Sequence, residues 1–256
     1  MPPVAVQTTE PTEVASGVWR LGTELVNWYL VDDGGRLTVI DAGAPKYRPQ
    51  LDAGLRRLGR SLGDVAAVVL THAHSDHVGF AEELRRETGV PVYVHRDDEQ
   101  LATTGKPSAK NEISPLRELR YPYVYRLIWH LGRNGALKVK PIREVRTFAD
   151  GELLDAPGGL RVIHTPGHTA GHCAFHLERQ GVLVAGDALC TLNPATGARG
   201  PQLMPRSLNL SSAKCLDSLT KIQDVEAAVV VFGHGEPWRE GVAAAVERAR
   251  AVGPTG

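Results

Sequence analysis

The sequence that decides the fold is Thr71-His72-Ala73-His74-Ser75-Asp76-His77, directly after the apolar run 65–70. Six consecutive apolar residues are typical of a strand that is buried on both faces. In an extended segment His72 and His74 point the same way, since they lie two positions apart. Asp76 and His77 come where the chain turns into the next predicted helix, so they can face a second site. Packing alone does not explain four such side chains in six residues.

Three further imidazole or carboxylate groups also follow strand-like apolar runs. They are His168 in the sequence Thr-Pro-Gly-His, Asp187 in Val-Ala-Gly-Asp and His234 in Val-Phe-Gly-His. Side chains at strand ends share one rim of a sheet, so residues far apart in the sequence converge there. Neutral imidazole and carboxylate are ligands that divalent transition metals accept. The set predicts a site for two metal ions.

The length and charge of the chain restrict its partners. Its 256 residues include 29 Lys and Arg and 29 Asp and Glu. Such a length suits one sizeable domain, which we predict over residues 14–252. The balanced charge gives no long-range field that would attract nucleic acid or an anionic membrane, although local patches are compatible with it. We therefore expect a small-molecule substrate, and neither a nucleic-acid nor a membrane partner.

Cysteine usage and the first residues bear on the cellular compartment. Cys173, Cys190 and Cys215 are too few and too scattered for a disulfide framework. Residues 1–13 lack the basic and apolar regions of a secretory signal, and no apolar run reaches membrane-spanning length. These features predict a cytoplasmic protein.

The chain has two halves, and in each half predicted strands are followed by predicted helices. In the first half we predict strands at 17–21, 27–31, 36–40, 65–70 and 90–94, and helices at 48–60 and 78–88. In the second half we predict strands at 160–164, 173–177, 182–185 and 227–232, and helices at 207–222 and 239–250. This order predicts an α/β fold in which two mixed sheets pack together with helices outside.

Residues 100–140 interrupt this alternation and are interpreted as a partly helical insertion. Within it, residues 121–129 are aromatic and apolar. Three roles fit such a segment: a lid over a partly hydrophobic substrate, plain packing against the sheets, or a contact in a homodimer.

The motifs resemble the metallo-beta-lactamase superfamily, and the glyoxalase II-like hydrolases in particular. Five motifs occur in the right order between about residues 18 and 238, beginning with Val39-Ile40-Asp41-Ala42-Gly43 and continuing with the four ligand segments. The resemblance implies an αββα sandwich and a ligand set for two metal ions. One metal ion would be held by His72, His74 and His168, the other by Asp76, His77 and His234, and Asp187 would bridge them.

Three departures separate the chain from well-known branches of the superfamily. Asp187 stands where the commonest metallo-beta-lactamases have a cysteine. Residues 188–194 replace the Gly/Cys/Arg-containing loop of typical glyoxalase II enzymes and sulfur dioxygenases. The quorum-signal lactonases use a tyrosine between the bridging Asp and the last His, and no tyrosine lies between Asp187 and His234.

The resemblance implies a hydrolase that cleaves a carboxylic ester, lactone or thioester with a hydroxide bridging two divalent metal ions. Zinc is favoured, and iron and manganese also tolerate this ligand set. Asp76 and Asp187 are the candidate catalytic carboxylates, with Asp76 orienting the nucleophile and moving its proton. The alternatives are a mononuclear iron persulfide dioxygenase, a beta-lactamase, and a binding module that has lost catalysis.

Two residues are candidates for orienting a ligand imidazole. Asp41 suits that role because a carboxylate fixes the tautomer and angle of a bound imidazole, and a turn-forming role before Gly43 is equally compatible. His172 is a candidate for the same role, with a loop hydrogen bond as the alternative. The remaining histidines, His95, His130, His164 and His176, are interpreted as ordinary core or surface residues.

Overall fold

A computed structural model describes residues 10–255, and the first of its sheets has seven strands. Its strands follow one another in chain order across the sheet. They are β1 (Thr12–Ala15), β2 (Val18–Gly22), β3 (Asn27–Asp33), β4 (Arg36–Ile40), β5 (Val65–Val69), β6 (Val92–His95) and β7 (Arg146–Phe148). Strands β1 to β4 are antiparallel neighbours, whereas β4 to β7 run parallel. The sheet is therefore mixed.

The second sheet has four strands and is mixed as well. In chain order its strands are β8 (Leu160–His164), β9 (Cys173–Leu177), β10 (Val182–Gly186) and β13 (Val229–Phe232). In space the order is β13-β10-β9-β8, with β13 parallel to β10. A small two-stranded sheet consists of β11 (Cys190–Leu192) and β12 (Arg199–Gln202).

In residues 10–255, six α-helices accompany the sheets. They are α1 (Arg48–Arg57), α2 (Ala81–Thr88), α3 (Glu99–Thr104), α4 (Val124–Arg133), α5 (Ser212–Ser218) and α6 (Val242–Val252). Helix α2 ends at Gly89, whose φ of 75° is in the left-handed region that glycine adopts without strain. Among residues 10–255, no helix is both long and apolar enough to cross a bilayer.

Successive side chains of a buried strand point to opposite faces of its sheet, so each sheet contributes to an apolar core on both sides. In β10, Val182 and Val184 belong to the core between the two sheets, whereas Leu183 and Ala185 belong to the core beneath α5 and α6. On the other side, a third core joins the outer face of the first sheet to α1 and α2. Three apolar cores between four layers are the αββα sandwich, which confirms the predicted fold class.

Element boundaries differ from the sequence prediction where local turns compete with helices. The helix predicted at 207–222 is regular only from Ser212 to Ser218, with 3-10 turns on both sides. The helix predicted from 78 begins at Ala81, since residues 78–80 carry the chain out of the ligand segment. Four short strands, β1, β7, β11 and β12, were not predicted because they lack the apolar run that marks the equally short β6 and β13.

The strand ends of both sheets meet at one rim. Strands β4, β5 and β6 are parallel, and β8, β10 and β13 share one direction, so each set ends at a common edge. Backbone hydrogen bonds join the two edges: the Cys173 N–H donates to Thr71 O at 2.8 Å, and the Asn27 N–H donates to Gly233 O at 2.7 Å. The segments after β5, β8, β10 and β13 therefore lie side by side.

Candidate metal centre

The predicted ligands converge at this rim in two groups. The nitrogen atoms of His72, His74 and His168 form one group, in which all ligand atoms lie within 4.8 Å of one another. His74 Nδ1 and His168 Nε2 are 2.8 Å apart. The loop after β5 thus supplies two imidazoles and the loop after β8 supplies the third.

A second group faces the first. It consists of Asp76, His77 and His234, again within 4.8 Å. An Asp76 carboxylate oxygen lies 3.9 Å from His77 Nε2 and 3.8 Å from His234 Nε2. The turn at the end of the ligand segment therefore brings Asp76 and His77 together with His234, in a group separate from that of His74 and His168.

Asp187 lies between the two groups. Its Oδ2 atom is 3.1 Å from His234 Nε2 and 3.4 Å from His168 Nε2. The same oxygen is 3.6 Å from His77 Nε2 and 3.9 Å from His72 Nε2. One carboxylate that touches members of both groups has the position required of a bridging ligand.

Several polar atoms at this centre are buried without a hydrogen-bond partner. They include His72 Nε2, His77 Nε2 and Asp187 Oδ1. Leaving such atoms unpaired in a dry interior costs about 1–3 kcal/mol each, and imidazole nitrogens and carboxylate oxygens are also the donors that divalent metals bind. The residues present therefore fit a bound metal centre.

The protonation states of the clustered histidines also favour binding of a cation. Burial lowers the pKa of His72 and His168 well below the ordinary imidazole value, so both have a free lone pair. Burial likewise lowers the pKa of His77, but the carboxylates of Asp187, Asp41 and Asp76 outweigh burial and raise it to about 10. The carboxylates thus draw positive charge into a buried cluster, and a bound metal ion would supply that charge.

Asp41 holds the ligand segment from behind. One oxygen accepts the Thr71 N–H at 2.8 Å, and the other accepts the Thr71 hydroxyl at 2.8 Å and lies 2.9 Å from His77 Nδ1. Asp41 is the only non-glycine residue among those described with positive φ, at 59°. The strained backbone after β4 is maintained because the carboxylate bonds three groups of the neighbouring loop.

His172 makes hydrogen bonds to loop groups beside the site, which is the alternative role that the sequence left open. Its Nε2 accepts the backbone N–H of Asp187 at 2.8 Å, and its Nδ1 lies 2.8 Å from the Thr165 hydroxyl. Burial lowers its pKa to about 3, so the ring is neutral and Nε2 keeps its lone pair. His172 therefore fixes the backbone at Asp187, and its ring packs against that of His72 with centroids 5.2 Å apart. Among residues 10–255 we find no hydrogen bond from His172 to a predicted ligand imidazole that would set its tautomer.

Sequence reasoning missed two residues that position the ligand loops. Asp98 is 1% exposed and accepts from Ala73 N, Thr169 Oγ1 and Gly171 N, at 3.1, 2.7 and 2.7 Å. Asn209 Oδ1 lies 3.0 Å from His168 Nδ1. The available signal for Asp98 was its place just after β6, at the same edge as Asp41 and the segment after β5.

Neither ligand group contains Cys190, His95, His130 or His164. Cys190 is buried, and its thiol donates to Leu203 O. His95 and His164 stack at 4.0 Å beside Asp97, a grouping that the sequence did not suggest. His130 belongs to α4 and shares a hydrogen bond with the Tyr47 hydroxyl, which ties the insertion to the first sheet's side of the molecule.

The insertion lines a cleft at the centre. A cavity of about 220 Å³ is bounded by five of the seven predicted ligand residues, and its apolar wall includes Leu127 and Leu131 of α4 together with Met204 and Leu208. Helix α4 thus turns one apolar face to the cleft. A second cavity of about 390 Å³ adjoins it at His74, Ser75 and Asn111.

The geometry agrees with a superfamily match over most of the chain. Residues 21–234 match the family model of the metallo-beta-lactamase superfamily. The chain belongs to that superfamily. The probable metallo-hydrolase YflN of Bacillus subtilis (strain 168) is 28% identical over 261 residues, which cover 93% of this chain and 90% of that protein.

Solved structures of the superfamily have the same fold. The metallo-beta-lactamase family protein TTHA1429 of Thermus thermophilus superposes with a TM-score of 0.67 at 28% identity, covering 94% of this chain and 80% of that one. The metallo-beta-lactamase GOB-18 of Elizabethkingia meningoseptica gives a TM-score of 0.68 at 20% identity, covering 98% and 93%. The latter likeness concerns the fold alone.

Proposed function

We propose that this superfamily member is a dinuclear metal-dependent hydrolase that cleaves a carboxylic ester, lactone or thioester. The observation that carries the proposal is the position of Asp187 between two three-residue ligand groups. A single metal ion needs only one such group. The second group, with the buried and unpaired His77 Nε2, is accounted for by a second ion.

We assign His72, His74 and His168 to one metal ion, and Asp76, His77 and His234 to the other, with Asp187 shared. Zinc is the favoured metal because imidazole and carboxylate ligands suit it, and iron or manganese is chemically compatible. When bound, such ions lower the pKa of water to about 7 and polarise a carbonyl group.

The residues of the chain have separate tasks in this hydrolysis. The carboxylate of Asp76 lines the cavity and is the group placed to accept the proton that the attacking water loses. The same proton then passes to the oxygen or sulfur of the leaving group as the acyl bond breaks. Asp41 and His172 hold His77 and Asp187 in place through the contacts described above.

The cleft supports a substrate with an apolar part. Leu127, Leu131 and Met204 face the space next to Asp76 and His234, so an acyl chain or ring beside the scissile bond would be kept from water. An apolar wall of this kind also excludes bulk water from the attacked carbonyl.

The test is metal content of protein purified without added metal, followed by turnover of lactone, aryl ester, thioester, nitrocefin and persulfide substrates. We expect two ions per chain and turnover of an ester, lactone or thioester. His234→Ala should lose one ion and the activity, whereas His176→Ala, which alters a histidine bonded to Glu226 O, should retain both. One iron per chain with persulfide-dependent oxygen uptake would overturn the proposal.

A further inference from the structure

The outer side of the insertion is apolar and exposed. In α4, Tyr125, Ile128 and Trp129 are 55%, 49% and 40% exposed, and their spacing puts them on one face of the helix. The flanking 3-10 turns, which pack against α4, add Leu116 and Leu137 at 73% and 84%. These five residues, named here the outer face, contain most of the large exposed apolar side chains of residues 10–255.

Exposed cations without ion-pair partners accompany the outer face along the chain. Residues 100–140 contain eight Lys and Arg but only two acidic residues, although the whole chain is neutral. Within the described part of the chain, Arg126 alone among these eight cations is in an ion pair, with Glu24. The other seven are exposed and make no ion pair with any residue from 10 to 255: Lys106, Lys110, Arg117, Arg120, Arg133, Lys138 and Lys140.

Neither acidic residue offsets this charge at the surface. Glu112 is engaged by Arg206 at 2.7 Å and by the Ser212 N–H at 2.9 Å. Glu118 is 3% exposed. Eight cations less two anions give residues 100–140 a net charge of +6, although the net charge of the whole chain is zero. The net charge of the chain therefore could not predict this basic segment.

We infer that the outer face docks on an anionic lipid bilayer. A helix that presents aromatic and aliphatic side chains ringed by Lys and Arg lies in the headgroup region of such a surface. The long stems of Lys and Arg allow their charges to reach phosphates while the apolar side chains insert. A second copy of this chain is disfavoured as the occupant, because a two-fold contact would bring the two sets of cations together.

Docking in this orientation would bring the mouth of the cleft to the lipid. Leu137 and Lys140 belong both to the docking region and to the wall of the cavity of about 390 Å³. That cavity meets the metal-side cavity at His74, Ser75 and Asn111. The inference does not depend on which bond is cleaved, because it concerns binding to the bilayer surface.

The test is co-sedimentation of the metal-loaded protein with vesicles of phosphatidylcholine alone and of phosphatidylcholine mixed equally with phosphatidylglycerol. We expect binding to the anionic vesicles only, with loss at high salt. The emission of Trp129 should shift to the blue, and Trp129→Phe should abolish the shift. Each Lys or Arg near the surface contributes about 1 kcal/mol, or roughly a fivefold change in binding, so Arg133→Gln with Lys138→Gln should weaken binding more than tenfold.

Two matched substitutions of exposed apolar residues distinguish vesicle binding through the outer face from nonspecific hydrophobic binding. Ile128→Ser should weaken binding severalfold, whereas Leu153→Ser, which alters a 61% exposed leucine outside the insertion, should leave it unchanged. All of these positions are exposed, so thermal unfolding should show intact folding. Equal binding to both vesicle types, no binding to either, a dimer that Ile128→Ser dissociates, or binding to single-stranded nucleic acid in place of vesicles would each overturn the inference.

Discussion

The carboxylate of Asp41 lies 2.9 Å from Nδ1 of His77, although the two residues are 36 positions apart. This contact leaves His77 Nε2 directed at Asp187, 3.6 Å away. A carboxylate behind an imidazole fixes the ring angle and raises the basicity of the opposite nitrogen. The rigid position of one ligand is thus set by a residue at the end of a different strand.

Replacing Asp41 should weaken metal binding more than folding. Asn at this position retains one oxygen that can accept the Thr71 N–H. Its amide N–H group, however, would face the Thr71 hydroxyl and His77 Nδ1, which the second carboxylate oxygen of Asp41 contacts. Because outer partners of this kind typically contribute 10–100-fold to metal affinity, we expect Asp41→Asn to lose about that much. Competition with a chromophoric chelator measures it, and Asp33→Asn, which alters a peripheral ion pair with Arg179, is the control. Unchanged affinity would remove Asp41 from the site.

Loss of His172 should destabilise the fold around Asp187. His172→Ala leaves the buried Asp187 N–H without its acceptor and opens a cavity, so we expect a loss of at least about 1–3 kcal/mol in the free energy of unfolding. Urea denaturation of the metal-free protein measures this loss without interference from metal binding. His176→Ala, at a partly exposed position in the same sheet, should cost less. Equal stability of the two variants would contradict the positioning role.

The pKa of His77 predicts opposite effects of pH on the metal-free and the metal-bound protein. Its folded pKa of about 10 lies above the ordinary 6.5. Its contribution to the stability of the metal-free fold is therefore complete below about pH 6.5 and is lost as the pH rises towards 10. Metal binding must displace that proton, so affinity should increase over the same range.

Two measurements check these opposite trends. The unfolding temperature of the metal-free protein should fall between about pH 7 and pH 10, and calorimetry in buffers of different ionisation enthalpy should detect proton release on metal binding. Asp41→Asn removes one of the carboxylates that raise the pKa of His77 and should reduce the fall. Metal binding without proton release at neutral pH would show that the proton of His77 is not displaced by the metal.

Gly233 leaves no room for a side chain beside the centre. A Cβ atom there would lie 2.0 Å from Asp187 Oδ1 and 2.6 Å from His77 Cε1. Gly233→Ala should therefore displace the carboxylate and lower both metal content and turnover. The control is Gly132→Ala in α4, where a Cβ meets no atom within 4 Å and a helical alanine should stabilise by up to about 1 kcal/mol. Full metal content in Gly233→Ala would contradict the close packing.

Helix α4 has two faces that should differ in their effect on substrate choice. Leu127 is 8% exposed and lines the cavity of about 220 Å³, so Leu127→Trp should reduce kcat/KM for bulky acyl groups more than for acetyl. Ile128→Trp alters an exposed position of the same helix that does not line the cavity, and it should leave the preference for soluble substrates unchanged. The same acyl-chain series measured on both variants decides whether the inner face of α4 shapes the substrate site.

The sequence by itself determined the ligand segments and the class of fold. Four potential ligands after a continuous apolar run, and three more after similar runs, predicted convergence at a sheet rim because strand ends share an edge. The alternation of strands and helices predicted the sandwich, and the strong signals came from long apolar runs such as 65–70. Short strands without an apolar run, such as β7 and β12, and the ends of helices carried too little periodicity to be placed.

Only the tertiary structure decided how the ligands are held. The pairing of Asp41 with His77, of His172 with the Asp187 backbone, and of Asp98 with two ligand loops joins residues up to 73 positions apart, and no local pattern encodes such distances. The outer face of the insertion likewise emerges only when its cations and apolar side chains are seen to be exposed and unpaired. Hydrophobic periodicity is a local property that the sequence reveals, whereas hydrogen-bond partners and surface charge depend on which segments the fold brings together.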